Sequence, residues 1–277
     1  MSTANALVAL LLPVHNAEQF LPQCLESIIV QTYQHWHLIA VNDGSTDQSA
    51  QLLEQFRLAH PDQVTILTIK QNQGLVPTLN LGLTKITTLH PTYVARLDSD
   101  DYLHPQRLQT QVTFLNLHRH VDILGSNMRL VNQNNRLLNK KRTYSRHTAL
   151  FSAFCFYNPL FHPTLMWRQS WAEQIKFHYS SQFPQAEDYD AWTRYAFQTT
   201  FTNLPNYLYY YRLHDQQIST AQKAIQAKQT TLIKTRFQAD FLQHYQNQPS
   251  RQKLLNFIMA RNWPKKIKIE LLRLLVR

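Results

Sequence analysis

The sequence predicts an α/β fold, a mixed sheet flanked by helices with a C-terminal helical appendage, on three observations. Apolar runs alternate with helical patterns through the first hundred residues. A polar cluster stands where each apolar run stops. Beyond Ser219 the composition shifts to Gln, Lys and Ala, as in exposed helices.

The elements follow from periodicity. Val8–Val14 reads as a strand, and Leu21, Leu25, Ile28 and Ile29 form a helical stripe. Leu38–Val41 is the next strand, before a helix carrying Leu52, Leu53 and Phe56. Val64–Ile69 is a third strand, followed by a helix through Leu79, Leu83 and Ile86, and Tyr93–Leu97 is a fourth. Such alternation implies parallel strands with right-handed crossovers and helices on both faces. Ligands of such sheets bind at the carboxyl ends of strands.

The chain has 277 residues, 44% of them hydrophobic, enough for a large core. Its two cysteines, Cys24 and Cys155, give neither a disulfide framework nor metal-site spacing, and a reducing cytoplasm fits. The apolar run at Leu7–Leu12 is too short to span a bilayer and has no basic leader, so it is read as a buried strand. The net charge of +11 is uneven: −4 over residues 1–100 (4 Lys/Arg, 8 Asp/Glu), +5 over 101–200 (11 and 6) and +10 over 201–277 (13 and 3). An acidic front and a basic rear argue for attachment through the rear and against nucleic acid as the partner.

The strand ends carry the chemistry. The first finishes in Pro13-Val14-His15-Asn16, the second in Asn42-Asp43-Gly44-Ser45-Thr46-Asp47, and the third is followed by Asn72-Gln73-Gly74. Of four glycines in the chain, Gly44 and Gly74 sit in these loops. Ser45 or Thr46 is expected to cap the helix that follows. The fourth strand stops at Asp98, Asp100 and Asp101. Strand alternation would put Asp98 and Asp100 on one side, with Ser99 turned away. Two carboxylates so close repel unless a cation bridges them, and Mg2+ or Mn2+ suits oxygen ligands better than zinc does. The alternative at this point is a turn, with Asp101 capping the next helix.

These motifs together resemble family 2 glycosyltransferases of the GT-A fold. PVHN at 13–16, VNDGSTD at 41–47, NQGLVPTLNLGL at 72–83, ARLDSDD at 95–101 with Pro105 and Arg107, AEDYDAW at 186–192 and YYYRLH at 209–214 follow in family order. The resemblance covers roughly residues 6–220. It implies a Rossmann-like nucleotide half over 1–101, an acceptor half over 102–220, and a helical, basic region over 221–277. It departs at His15, where a tyrosine is common, and at Pro77 in the first turn of a helix.

The resemblance also implies roles. Pro13, Val14, His15, Asn16, Asp43 and Asn72 would form the nucleotide site, with Asp43 accepting from a base N–H. Asp98 would lie near ribose and diphosphate, with Arg96 either beside it or in a helix-facing ion pair, and Asp100 would hold Mn2+ or Mg2+, with His214 either a second ligand or a loop residue. Asp188 would be the general base, needed because a sugar hydroxyl is a poor nucleophile, with Glu187 beside it. His162 is either an acceptor contact or a packed core histidine, and Asp190 is read as surface. The implied activity is inverting transfer of one sugar from a nucleoside diphosphate sugar, UDP preferred, to a glycan or lipid-linked glycan. Processive members carry a Gln-x-x-Arg-Trp motif that is absent here. A sugar-phosphate nucleotidyltransferase would need a Gly-rich loop after the first strand, and Pro13–Phe20 has none. A non-catalytic membrane- or nucleic-acid-binding protein would explain the basic rear but not the acidic ligands.

Beyond the strand ends, Pro105–His118 is read as a helix and Val121–Leu124 as a strand. Asn132–Lys141 is read as a basic hairpin or loop near the acceptor, and 201–211 as a strand. In Pro264–Arg277, Ile267, Leu271, Leu274 and Leu275 share one helical arc, and Lys266, Arg273 and Arg277 another. That pattern suits either an interfacial helix on the anionic inner face of the plasma membrane or a helix packed on the core.

Overall fold

The computed structural model describes residues 6–214, 222–245, 258–259, 261 and 263–276. Ser219, the expected boundary at residue 220, Arg277 and the side chains of Leu274 and Leu275 lie outside the described residues. Strand β1 (Val8–Val14) leads to α1 (Leu21–Ile29), β2 (Trp36–Asp43) to α2 (Ser49–Ala59), β3 (Val64–Ile69) to α3 (Leu75–Thr87), and then comes β4 (Tyr93–Arg96). The short β5 (Tyr102–Leu103) precedes α4 (Arg107–Leu117), β6 (Ile123–Asn132), β7 (Leu137–Lys141) and α5 (His147–Ala153). Then follow β8 (Met166–Arg168), α6 (Gln169–Gln174), α7 (Glu187–Tyr195), β9 (Phe201–Leu213), α8 (Lys223–Tyr245) and α9 (Lys265–Val276).

All nine strands belong to one sheet, ordered β3-β2-β1-β4-β8-β6-β9-β5 with β7 paired to β6. The first four are parallel, as the alternation predicts. Short β8 then runs antiparallel to both β4 and β6, which makes the sheet mixed. In β1, Ala9 and Leu11 face one core while Val8, Leu10, Leu12 and Val14 face the other, so strand alternation divides the apolar residues between two helical layers. Val14 pairs with Asn42, and Thr68 with Asn42 on its other side, so the carboxyl ends of β1, β2 and β3 reach one rim together.

The rear of the molecule departs from the sequence reading at two places. Asp190 is fully buried, because the α7 face that carries it meets α8. Its carboxylate takes Arg194 Nε at 2.7 Å and Arg236 Nη1 of α8 at 2.8 Å. In α9, Ile269 and Leu272 pack into the same core as Leu150 and Phe151 of α5, and Leu271 is half-buried against it. Of the expected arc, Leu271 thus faces the core while Ile267 stays exposed. No described helix is long and apolar enough to cross a membrane.

The Asp190 cluster fixes α8 on α7, and breaking a buried ion pair by removing one partner costs more than the pair contributes. Asp190→Ala should lower unfolding stability by about 2 kcal/mol in urea titration, since two half-buried guanidiniums lose the buried carboxylate they share. A change under about 0.5 kcal/mol, the size typical of surface sites, would contradict this role.

Candidate active site

The ends of β1 and β2 and the loop before α3 lock together through side chains. His15 Nδ1 lies 2.7 Å from the Asp43 carbonyl and Nε2 lies 2.7 Å from Asn72 Nδ2. A carbonyl only accepts, so the network assigns the proton to Nδ1 and makes Nε2 the acceptor. Asp43 accepts the Gln73 N–H at 2.8 Å on Oδ1 and the Gly74 N–H at 2.9 Å on Oδ2. It therefore builds the loop as well as presenting a carboxylate, and each oxygen keeps acceptor capacity for a base N–H. Gly44 has φ +62°, and a Cβ there would lie 2.5 Å from the Asn72 backbone nitrogen, so the β2–α2 loop can approach this loop only as glycine.

Asn16, with φ 48°, accepts the Thr46 N–H at 2.8 Å, and its own N–H reaches Ser45 Oγ at 3.1 Å. Ser45 and Thr46 thus bind Asn16 and do not cap α2. The cap comes from Asp47, whose Oδ1 accepts the Ser49 N–H at 2.9 Å, while Glu18 accepts from Gln48 at 2.9 Å. Pro13 and Val14 are buried and line no open surface at this rim.

The carboxylate cluster is a turn and not an extended run. β4 ends at Arg96, and Asp101 N–H donates to the Asp98 carbonyl at 3.3 Å. Each carboxylate consequently takes a different partner. Asp98 Oδ1 pairs with buried Arg96 Nη2 at 2.6 Å. Asp100 Oδ2 lies 3.0 Å from His214 Nε2, and Asp101 Oδ1 accepts the Arg212 N–H at 2.7 Å. Asp101 is fully buried and caps no helix. Burial, with the charges of Asp100 and Asp98 behind it, pushes its carboxyl well above the ordinary range.

Arg212, buried at the end of β9, was not singled out by sequence reasoning, although it lies inside the YYYRLH motif. Its guanidinium reaches the Asp100 carbonyl at 2.8 Å, Asn135 Oδ1 at 2.7 Å and Gln23 Oε1 at 2.7 Å, and packs 4.6 Å above the Phe20 ring. It joins α1, the carboxylate turn and the β6–β7 hairpin.

A second acidic centre opens α7. Asp188 accepts Asn158 Nδ2 at 2.7 Å on Oδ2 and the Tyr189 N–H at 2.7 Å on Oδ1. Burial raises it to about 6, against these hydrogen bonds. Glu187, more deeply enclosed and beside Asp188, is pushed up to about 8. His162 is buried with Nε2 2.8 Å from the Tyr179 hydroxyl, and Nδ1 lies 3.8 Å from Glu187, beyond hydrogen-bond reach. Burial and then the Arg96 charge push His162 well below its ordinary range, so it is neutral. Of the two readings of His162, its burial matches the packed one, and it lies beside Glu187. Arg96 acts electrostatically on Asp98, Glu187 and Asp188 alike, which makes the two acidic centres neighbours in one field. Asn158 had no sequence signal beyond an ordinary Asn-Pro turn.

Comparison with known proteins places the family and the fold. Residues 9–177 match the family model described as Glycosyl transferase family 2. An uncharacterized glycosyltransferase of Haemophilus influenzae is 30% identical over 222 residues, covering 77% of this chain and 68% of its own. WbnJ of Escherichia coli, an O-antigen biosynthesis glycosyltransferase, is 29% identical over 223 residues, covering 79% of this chain and 84% of the relative. The structure of S. aureus TarS 1–349 in complex with UDP-GlcNAc matches with a TM-score of 0.67 at 19% identity, over 96% of this chain and 70% of that one. A mannosyltransferase of Pyrobaculum calidifontis, PcManGT in complex with GDP-Man and Mn2+, matches at 0.58 and 16% identity, over 97% and 68%. At such identities the structures speak for the GT-A fold alone. With its parallel half ending in these motifs and the family match spanning residues 9–177, the chain belongs to glycosyl transferase family 2.

Proposed function

We propose that this glycosyltransferase moves a single sugar from a nucleoside diphosphate sugar, UDP preferred, to a glycan hydroxyl with inversion, in surface polysaccharide or lipopolysaccharide synthesis. Residues 1–101 would serve as the donor half, 102–220 as the acceptor half, and 221–277 as a basic C-terminal region whose described helices α8 and α9 pack on α7 and α5. The observation that carries the proposal is a pair of separate acidic centres at one end of the sheet. Asp100 stands beside His214 at 3.0 Å, and Asp188 stands apart from them on Asn158. UDP-GlcNAc in TarS and the O-antigen role of WbnJ support the donor and acceptor classes. The cytoplasm, where donor nucleotides are made, is the location this reading requires.

His15, Asn16, Asp43 and Asn72 frame the nucleobase, and Arg96 with Asp98 borders the ribose and diphosphate. Asp100 and His214 fit Mn2+ or Mg2+: a carboxylate oxygen and an imidazole nitrogen stand 3.0 Å apart, the spacing of two neighbouring ligands on one ion. Among the described residues no group of three His, Cys, Asp or Glu could hold a metal ion, so phosphate oxygens of the donor would complete the shell. Bound there, the ion would neutralise the departing diphosphate.

Asp188 supplies the base. It accepts the acceptor's hydroxyl proton as that oxygen bonds to the anomeric carbon, and the sugar–phosphate bond breaks on the opposite face with its electron pair leaving on the diphosphate. Asn158 and the Tyr189 N–H hold the carboxylate in place while leaving each oxygen a further lone pair. Glu187 and His162 back it from the buried side.

Two outcomes test these roles. In calorimetry, UDP binding should weaken by at least about tenfold on addition of EDTA, and Asp100→Asn should lose most of the metal dependence. Equal affinity with and without metal removes Asp100 and His214 from the site. Asp188→Asn should cut turnover by roughly 10²–10⁴ with donor affinity nearly unchanged. In the wild type, kcat/KM should rise with pH through about 6, because Asp188 must lose its proton to act. A flat profile from pH 5 to 7, or an active variant, moves the base elsewhere.

A further inference from the structure

The β6–β7 hairpin has features that sugar transfer does not use. All five residues of β7 are exposed, including Leu137 at 49% and Leu138 at 52%. Leu137 pairs with Val131 and Asn139 with Leu130, so Leu138 sits at a bulge and the two leucines form one exposed apolar tip beside the turn. A tip of apolar residues backed by cations and no carboxylate is complementary to an anionic surface with an apolar interior.

Their position along the hairpin has the same sense. The turn closes between Asn132 and Arg136, and Leu137, paired with Val131, is the first strand residue after it. Lys140, paired with Arg129, and then Lys141 and Arg142 begin three residues farther back, about 10 Å along the strand. The sequence holds no carboxylate between Asp122 and Glu173. Lysines on an edge strand also discourage sheet-to-sheet aggregation, but exposed leucines beside them do the reverse, so edge protection does not explain the combination.

We infer that the β6–β7 hairpin docks the enzyme on an anionic lipid surface, with Leu137 and Leu138 entering the headgroup–acyl boundary and Lys140, Lys141 and Arg142 meeting lipid phosphates. The dimensions agree: interfacial segments bury apolar groups about 5–10 Å deep while cations remain at headgroup level. Arg212 Nη1 also binds Gln133 O at 3.2 Å and Asn135 Oδ1 at 2.7 Å in the turn, while its Nε holds the Asp100 carbonyl. Docking the tip would therefore bring the mouth of the site to the membrane, where a lipid-carried glycan is displayed. This names a partner surface for the proposed transferase but does not depend on its donor chemistry. It also assigns attachment to the hairpin and not to α9, whose Ile269 and Leu272 are already buried.

The test is cosedimentation of the full chain with phosphatidylcholine vesicles, with and without phosphatidylglycerol, and heparin binding in parallel. The wild type should follow only the anionic vesicles and be released by salt. Leu137→Ser with Leu138→Ser should lower vesicle partition by roughly tenfold and leave heparin binding unchanged. Lys140→Glu with Lys141→Glu should lower both. All variants should keep wild-type circular dichroism and UDP affinity, since these side chains are solvent-exposed. Absence of the wild type from anionic vesicles overturns the inference, as does a leucine variant that binds them equally well, which would make the hairpin a general polyanion surface. Failure of every form to bind UDP would instead strike the donor reading and leave the vesicle result standing.

Discussion

Negative charge collected at one rim of the sheet is the constraint that the rest of the site answers. Beyond burial, Asp100 raises Asp98, Asp100 and Asp98 raise Asp101, and Asp188 and Asp98 raise Glu187. Buried Arg96 and Arg212 offset that repulsion from within, one through an ion pair to Asp98 and the other through hydrogen bonds to Asp101 and the Asp100 carbonyl. Arg107, also fully buried, donates to the Arg96 carbonyl at 2.9 Å and lies 5.2 Å from the Tyr209 ring centroid. Desolvation lowers it to about 10, still well above neutrality, so it remains a cation. Guanidiniums suit these places because their planar fork satisfies several acceptors at once and holds its charge when dry.

The same side chains fix geometry over long sequence distances. Arg212 connects residues 23, 100, 101 and 135, which belong to a helix, the carboxylate turn and a hairpin. Asp43 bridges β2 to the loop that opens α3. A site assembled this way is preorganised, since each reacting group is held by a partner that is itself packed. It also explains how a surface hairpin and the carboxylate turn can share one mechanical unit.

Much of this was legible in the sequence where local pattern and final structure coincide. β1 and β3 have the bounds that periodicity assigns, and the polar strand ends do converge. Three-residue β8 and two-residue β5 are too short for any period to register, and β8 is the strand that converts a parallel sheet into a mixed one. Alternation failed at Asp98–Asp101 because Tyr209 and Arg212, more than a hundred residues away, bind the chain into a turn. Asp190 was misread as surface because its partner Arg236 stands 46 residues downstream on another helix. Asn158 was invisible for a like reason: its purpose exists only once Asp188 is folded beside it.

The account stands most directly on what the enzyme releases. Purified protein should be incubated with Mn2+, a panel of UDP- and GDP-sugars and a glycan acceptor, and its nucleotide products followed by chromatography. Catalytic release of UDP from a UDP-sugar, matched by sugar added to the acceptor with inverted anomeric configuration, is the predicted result. No UDP release above the acceptor-free control, or a product with retained configuration, would contradict it.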